Sequence, residues 1–87
     1  MARRSRHSSE IMIMRQKIFT QLSKGEYEVK AVARALGVPN LYDAGELCEM
    51  EAVDEMRVES VNALVKLDED GVRTAFKWLM DEAYLTL

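Results

Sequence analysis

From residue 9 onward, apolar and polar positions recur at helical rather than strand spacing. Ile11, Met14, Ile18 and Leu22 fall three, four and four residues apart, which defines one face of a first helix. Ser8 or Ser9 reads as its N-cap, with Glu10 in the first turn where a carboxylate suits the helix dipole. Gly25 is expected to end it as a left-handed C-cap. Glu26-Tyr27-Glu28-Val29 alternates and reads as a short extended piece. A compact second helix runs from about Lys30 to Leu36, with Val29, Val32, Ala33 and Leu36 inward. Gly37 terminates it, and Pro39 disfavours helical geometry at Val38, so the chain turns there. Asn40 is a good N-cap for a third helix with Leu41, Ala44, Leu47 and Cys48 inward. Gly45 inside that helix costs about 1 kcal/mol relative to Ala.

Beyond Met50 the pattern loses regularity. Met50, Val53 and Met56 continue one stripe, while Val58, Val61, Leu64 and Val65 form a second one out of phase with it. A break near 56–59 is the expected consequence. Val61, Ala63, Val65 and Leu67 also alternate, which leaves a strand open as an alternative. Asp68-Glu69-Asp70-Gly71 is a turn able to cap the final helix. That helix has the clearest pattern, with Val72, Ala75, Phe76, Leu79 and Ala83 on one face. Tyr84 to Leu87 reads as a frayed end or a short closing strand.

Composition sets the scale. A chain of 87 residues fits one small domain, which buries only about 60–65% of its unfolded surface and is correspondingly marginal in stability. At 48% hydrophobic and 31% charged it is too apolar for an intrinsically disordered chain. The single cysteine, Cys48, excludes an internal disulfide framework and fits a reducing compartment. No apolar run approaches the roughly 18–20 residues of a membrane span, so the expectation is a soluble, cytoplasmic protein. The net charge of −3 hides an asymmetry: residues 1–30 carry seven Lys/Arg against three Glu, and residues 31–87 carry five Lys/Arg against twelve Asp/Glu. A flexible basic arm (1–8) on a single helical domain (9–87) is the expected organisation.

One stretch carries a resemblance. Residues 18–42, from Ile18 through Gly25, Val29, Ala31, Ala33, Ala35 and Gly37 to Asn40, Leu41 and Tyr42, resemble the opening of a winged-helix or helix-turn-helix DNA-binding domain. The resemblance covers less than a third of the chain. It implies a helix with small residues, a glycine turn, and a recognition helix opened by Asn40. The fold it implies is a mainly α bundle of four to five short helices with a helix-turn-helix-like core, and with room for a short β-hairpin or wing. The segment matching the recognition helix, Asn40 to Met50, departs from the family: it holds Asp43, Glu46 and Glu49 but no Lys or Arg. Carboxylates beside phosphates are repelled, and an acceptor-only carboxylate pairs well only with the cytosine amino group. DNA contact would then fall to Arg3, Arg4 and Arg6 of the arm, with Lys24, Lys30 and Arg34 as further phosphate contacts.

The residues offer little to catalysis. His7, the only histidine, sits in the arm. Cys48 has no second cysteine nearby and reads as a small core residue. A zinc site needs about four suitably spaced ligands, which the chain lacks. Placing Gly71 at position six of a calcium loop puts Lys66 at position one and Lys77 at position twelve, where carboxylates are required. Neither a metal nor a cofactor is expected, and the chain is not expected to be an enzyme. Six methionines mostly fill a core, although Met12 and Phe19 lie off the main face of the first helix and suit a homodimer or a partner helix. The dense acidic run from Glu46 through Glu49 and Asp54 to Glu59 suits a basic protein surface, and Trp78 and Tyr84 of the last helix suit interface anchors for a partner.

These features point to two functions of different class. One is a small transcription-regulatory protein of helix-turn-helix type that contacts DNA through its basic arm. The other is a protein–protein adaptor or inhibitor, of the kind phages and mobile elements encode, that binds a basic partner through its acidic helical face.

Overall fold

The computed structural model describes residues 6–39 and 49–86, with side chains from Ser9 to Pro39 and from Met50 to Thr86. Four helices make up this part of the chain: α1 (Arg6–Gln21), α2 (Glu26–Ala35), α3 (Glu49–Lys66) and α4 (Glu69–Asp81). The protein is mainly helical, and no strand occurs among the described residues. The expected third helix at 40–48, with Leu41, Ala44, Leu47 and Cys48, lies outside them.

Helix α1 starts earlier than its serines suggested. Ser8 and Ser9 lie inside the helix, because no Gly or Pro at positions 6–9 interrupts helical geometry. Arg6, His7 and Ser8 therefore belong to α1 rather than to an arm. At its other end Leu22, Ser23 and Lys24 donate to the carbonyls of Phe19, Thr20 and Gln21. These i to i−3 bonds tighten the last turn. Gly25 is not the left-handed cap of α1. It adopts extended backbone, φ −75° and ψ −178°, as the N-cap of α2, and its carbonyl accepts from Val29. Helix α2 consequently begins at Glu26, so the expected extended piece is its first turn. Glu26 and Glu28 stand there, where the helix dipole favours carboxylates.

The end of α2 is a Schellman motif. Val38 N–H donates to the Ala33 carbonyl at 2.8 Å and Gly37 N–H to the Arg34 carbonyl at 3.2 Å, with Gly37 at φ 75°. Helix α4 ends in the same way: Tyr84 donates to Leu79 and Ala83 to Met80, both at 3.0 Å. Here the left-handed position is held by Ala83, at φ 66°. Ala83 therefore stands beyond the helix and exposed, instead of on the apolar face the spacing assigned to it. Tyr84 to Thr86 form no strand, and Leu85 tucks into the core.

Helix α3 corrects the largest expectation. It runs unbroken for 18 residues, with no break at 56–59 and no strand at 61–67. The two out-of-phase stripes are two faces of one helix. Ala52, Val53, Met56, Ser60 and Leu64 face the core, whereas Met50, Val58 and Val65 face solvent. Leu64 thus belongs to the inner stripe and Met50 to the outer one. In α4 the acidic turn acts as expected, with Asp68 Oδ1 accepting from Gly71 N–H at 2.8 Å.

One core joins all four helices: Ile11, Ile18 and Leu22 of α1, Val29 and Val32 of α2, Val53, Met56 and Leu64 of α3, and Val72, Phe76 and Leu79 of α4. Helix α2 packs on both α3 and α4, and α1 packs chiefly on α4. The α1–α3 approach is sparser and is spanned by two arginines. Arg15 donates to the Leu67 carbonyl at 2.6 Å, and Arg57 Nε donates to the Leu22 carbonyl at 2.6 Å. Arg57 also pairs with Asp54 at 2.5 Å. No described helix is long and apolar enough to cross a membrane.

Candidate functional site

On α2, Tyr27, Lys30 and Arg34 lie three and four residues apart, so they share one face. That face looks across to the C-terminal end of α4, where Trp78, Glu82 and Tyr84 stand. Between them is a cleft of about 340 Å³, within the 300–1,000 Å³ usual for ligand sites. Its base is apolar, made by Ala31, Ala33, Val38 and Met56. The alanines of α2 matter here, since small side chains leave space that longer ones would fill.

The cleft owes its form to the two helix ends beside it. The Gly37 turn brings Val38 back against Ala33, and the Ala83 turn brings Tyr84 back over α4. Trp78 is half-buried and packs on the core, which fixes its indole. Tyr27 is 75% exposed and caps the opposite rim. Lys30 is held along the helix by Glu26, at 2.9 Å. Two cations and one carboxylate, Lys30, Arg34 and Glu82, therefore edge a hollow that Tyr27, Trp78 and Tyr84 also line.

The structure thus brings together four residues that the sequence placed in different roles: Lys30 and Arg34 as nucleic-acid contacts, and Trp78 and Tyr84 as partner anchors. The remaining candidates are not with them. Lys24 borders a shallower depression with Gln16, Lys17, Tyr84 and Thr86, closed on one side by the Lys17 bond to the Thr86 carbonyl at 2.8 Å. Asp54 is on α3, paired with Arg57. Arg6 and Glu49 are the first residues of α1 and α3. Arg3, Arg4, Asn40 and Glu46 lie outside the described residues.

No family model matches the chain, and no curated protein or solved structure matches it either. The cleft must be read from its own chemistry. Sequence reasoning missed Tyr27 and Glu82 as parts of it. Tyr27 carried a usable signal, standing three and seven residues before Lys30 and Arg34. Glu82 carried none, and Tyr84, readable as an anchor by its residue type, reaches the cleft through the left-handed turn at Ala83. Among the described residues no group of three His, Cys, Asp or Glu side chains is placed to hold a metal ion.

Proposed function

We propose that the chain is a small regulatory adaptor that binds a protein partner through the α2–α4 cleft. The observation that carries this reading is the convergence of Tyr27, Arg34, Trp78 and Tyr84 on one hollow. Trp, Tyr and Arg are the residue types that dominate binding energy at protein interfaces. The apolar base suits an aromatic or aliphatic anchor, and the Lys30 and Arg34 rim suits carboxylates flanking it. The preferred target is therefore an acidic segment with an apolar anchor, engaged by a different surface from the acidic face inferred from sequence.

Trp78 is the only tryptophan, so its emission reports directly on the cleft. Peptide-display selection against the intact chain should enrich acidic sequences with an aromatic or leucine anchor. Enriched peptides should shift Trp78 fluorescence and lose binding to Lys30→Glu/Arg34→Glu. Enrichment of basic peptides, or binding indifferent to that double variant, would sink the reading.

A second reading is DNA contact of helix-turn-helix type. It draws support from α1, α2 and the left-handed Gly37 turn, which come in the order the resemblance implies, with Arg34 exposed on α2. Because α1 is helical from Arg6, the appropriate test keeps the chain intact. Duplex retention in a gel shift should fall steeply with salt and collapse in Arg3→Ala/Arg4→Ala/Arg6→Ala. Absence of retention by the unmodified chain at low salt rejects it.

A further inference from the structure

Tyr84 borders both the cleft and a second depression of about 290 Å³, which lies between the end of α1 and the segment after α4. Its volume is close to the lower end for ligand sites. Gln21 stands in its wall and is only 8% exposed. It follows Ile18 by three residues and Met14 by seven, so an apolar side chain there would extend the core face of α1. The Gln21 carbonyl accepts from Lys24 N–H at 3.2 Å, but its side-chain amide bonds to no described residue. A nearly buried amide without a partner is costly. The position therefore favours a ligand that supplies the missing bond.

The charges around it have one sign. Lys17 comes four residues before Gln21 and Lys24 three after, so all three share a face, and both lysines line the depression. No carboxylate lines it. Among the described residues neither lysine belongs to an ion pair. Lys17 uses one of its three N–H groups on the Thr86 carbonyl, at 2.8 Å. The Thr20 hydroxyl already donates to the Gln16 carbonyl at 2.8 Å. The main-chain N–H groups of Leu22, Ser23 and Lys24 are taken by carbonyls of the last turn. The Gln21 amide and the two ammonium groups are the donors left for a ligand.

That set of donors selects among anions. A carboxylate carries one charge on two oxygens, which an amide N–H and an ammonium can satisfy. A phosphate carries up to two charges on three oxygens, and suits helix N-termini or arginine forks. Here a helix ends, which places partial negative charge nearby, and no arginine lines the hollow. Leu85 and Tyr84 add apolar surface for a short methylene chain. We propose that this depression is a binding site for an aliphatic carboxylate. In it the Gln21 amide donates to one carboxylate oxygen, and Lys17 and Lys24 neutralise the charge. The carboxylate belongs either to a free dicarboxylate or to a glutamyl side chain of a peptide.

The test is a titration of the ¹⁵N-labelled full chain, at constant ionic strength, with glutarate, N-acetylglutamate N-methylamide or inorganic phosphate. The Gln21 side-chain NH₂ resonances should shift and saturate with at least one carboxylate, with Kd on the order of 1–10 mM, and phosphate should bind at least about tenfold more weakly. Tighter binding of glutarate assigns the site to free dicarboxylates, and tighter binding of the glutamyl probe assigns it to peptides. Lys17→Gln/Lys24→Gln should weaken binding at least about tenfold. Gln21→Leu, which keeps the charge and removes the amide, should weaken it too. Lys66→Gln/Lys77→Gln removes the same charge from exposed positions elsewhere and should leave Kd unchanged. Shifts that fail to saturate with either carboxylate, or phosphate bound as tightly, overturn the site. Equal losses in the two lysine pairs, or a folded Gln21→Leu that binds like the parent, overturn it as well. Neither carboxylate probe carries an apolar anchor, so the outcome is separate from that of the α2–α4 cleft.

Discussion

Helices α2 and α4 each carry one apolar phase, whereas α1 and α3 each carry two. The first pair packs together, ends in matching Schellman turns, and shapes the cleft between Tyr27 and Trp78. The second pair meets sparsely, across two arginines, and leaves Phe19, Val58 and Val65 in water. The lesson is that a second stripe out of phase with the first need not mark a helix break. An 18-residue helix has room for an inner and an outer apolar face.

If that division is right, equal losses of apolar side chain should have unequal consequences. Phe76 is 1% exposed at the centre of the core. Phe76→Ala should cost about 3–5 kcal/mol, because it removes transfer energy and leaves a cavity. Such a loss is most of the stability of a domain this size, so the variant should be largely unfolded in a urea titration. Val65→Ala, on the outer face, should shift the same titration by less than about 0.5 kcal/mol. Comparable losses at the two positions would break the distinction between inner and outer faces.

The inner face of α3 contains one polar residue, and it sharpens the contrast. Ser60 is fully buried, and its hydroxyl has no hydrogen-bond partner. An unsatisfied buried hydroxyl costs free energy, and Ala is also the better helix former. Ser60→Ala should therefore raise stability by about 1 kcal/mol, seen as a higher midpoint in thermal unfolding. A loss instead would mean that the hydroxyl bonds the carbonyl one turn earlier in solution, a known habit of helical serines.

Legibility in the sequence tracks the same division. The inward set of α4 is readable from Val72, Ala75, Phe76 and Leu79, and Asp68 is readable as its cap, because one stripe admits one phase. The core face of α2 is readable too, although its start is not. Four residues of alternation at Glu26 to Val29 are as compatible with one helical turn as with a strand, and the backbone of Gly25 decides between them. In α3 the competing phases of Met56 and Val58 imitate a break. Of the cleft, Lys30, Arg34, Trp78 and Tyr84 stand out in the sequence, but for separate purposes. Only tertiary packing brings α2 against the end of α4, and no local pattern encodes that meeting.

The two Schellman turns flanking the cleft give the smallest and most symmetrical test. Gly37 and Ala83 occupy the same left-handed position, at φ 75° and 66°. A Cβ built on Gly37 meets nothing within 4 Å, so Gly37→Ala should cost backbone strain alone, about 1 kcal/mol. Ala83 already bears that strain. Ala83→Gly should relieve it, offset in part by the extra freedom glycine has in the unfolded chain, for a net gain of about 0.5 kcal/mol. Opposite signs in chemical denaturation would establish that both turns are left-handed in solution. A destabilising Ala83→Gly would mean that the chain after α4 takes another path, and would remove Tyr84 from the cleft.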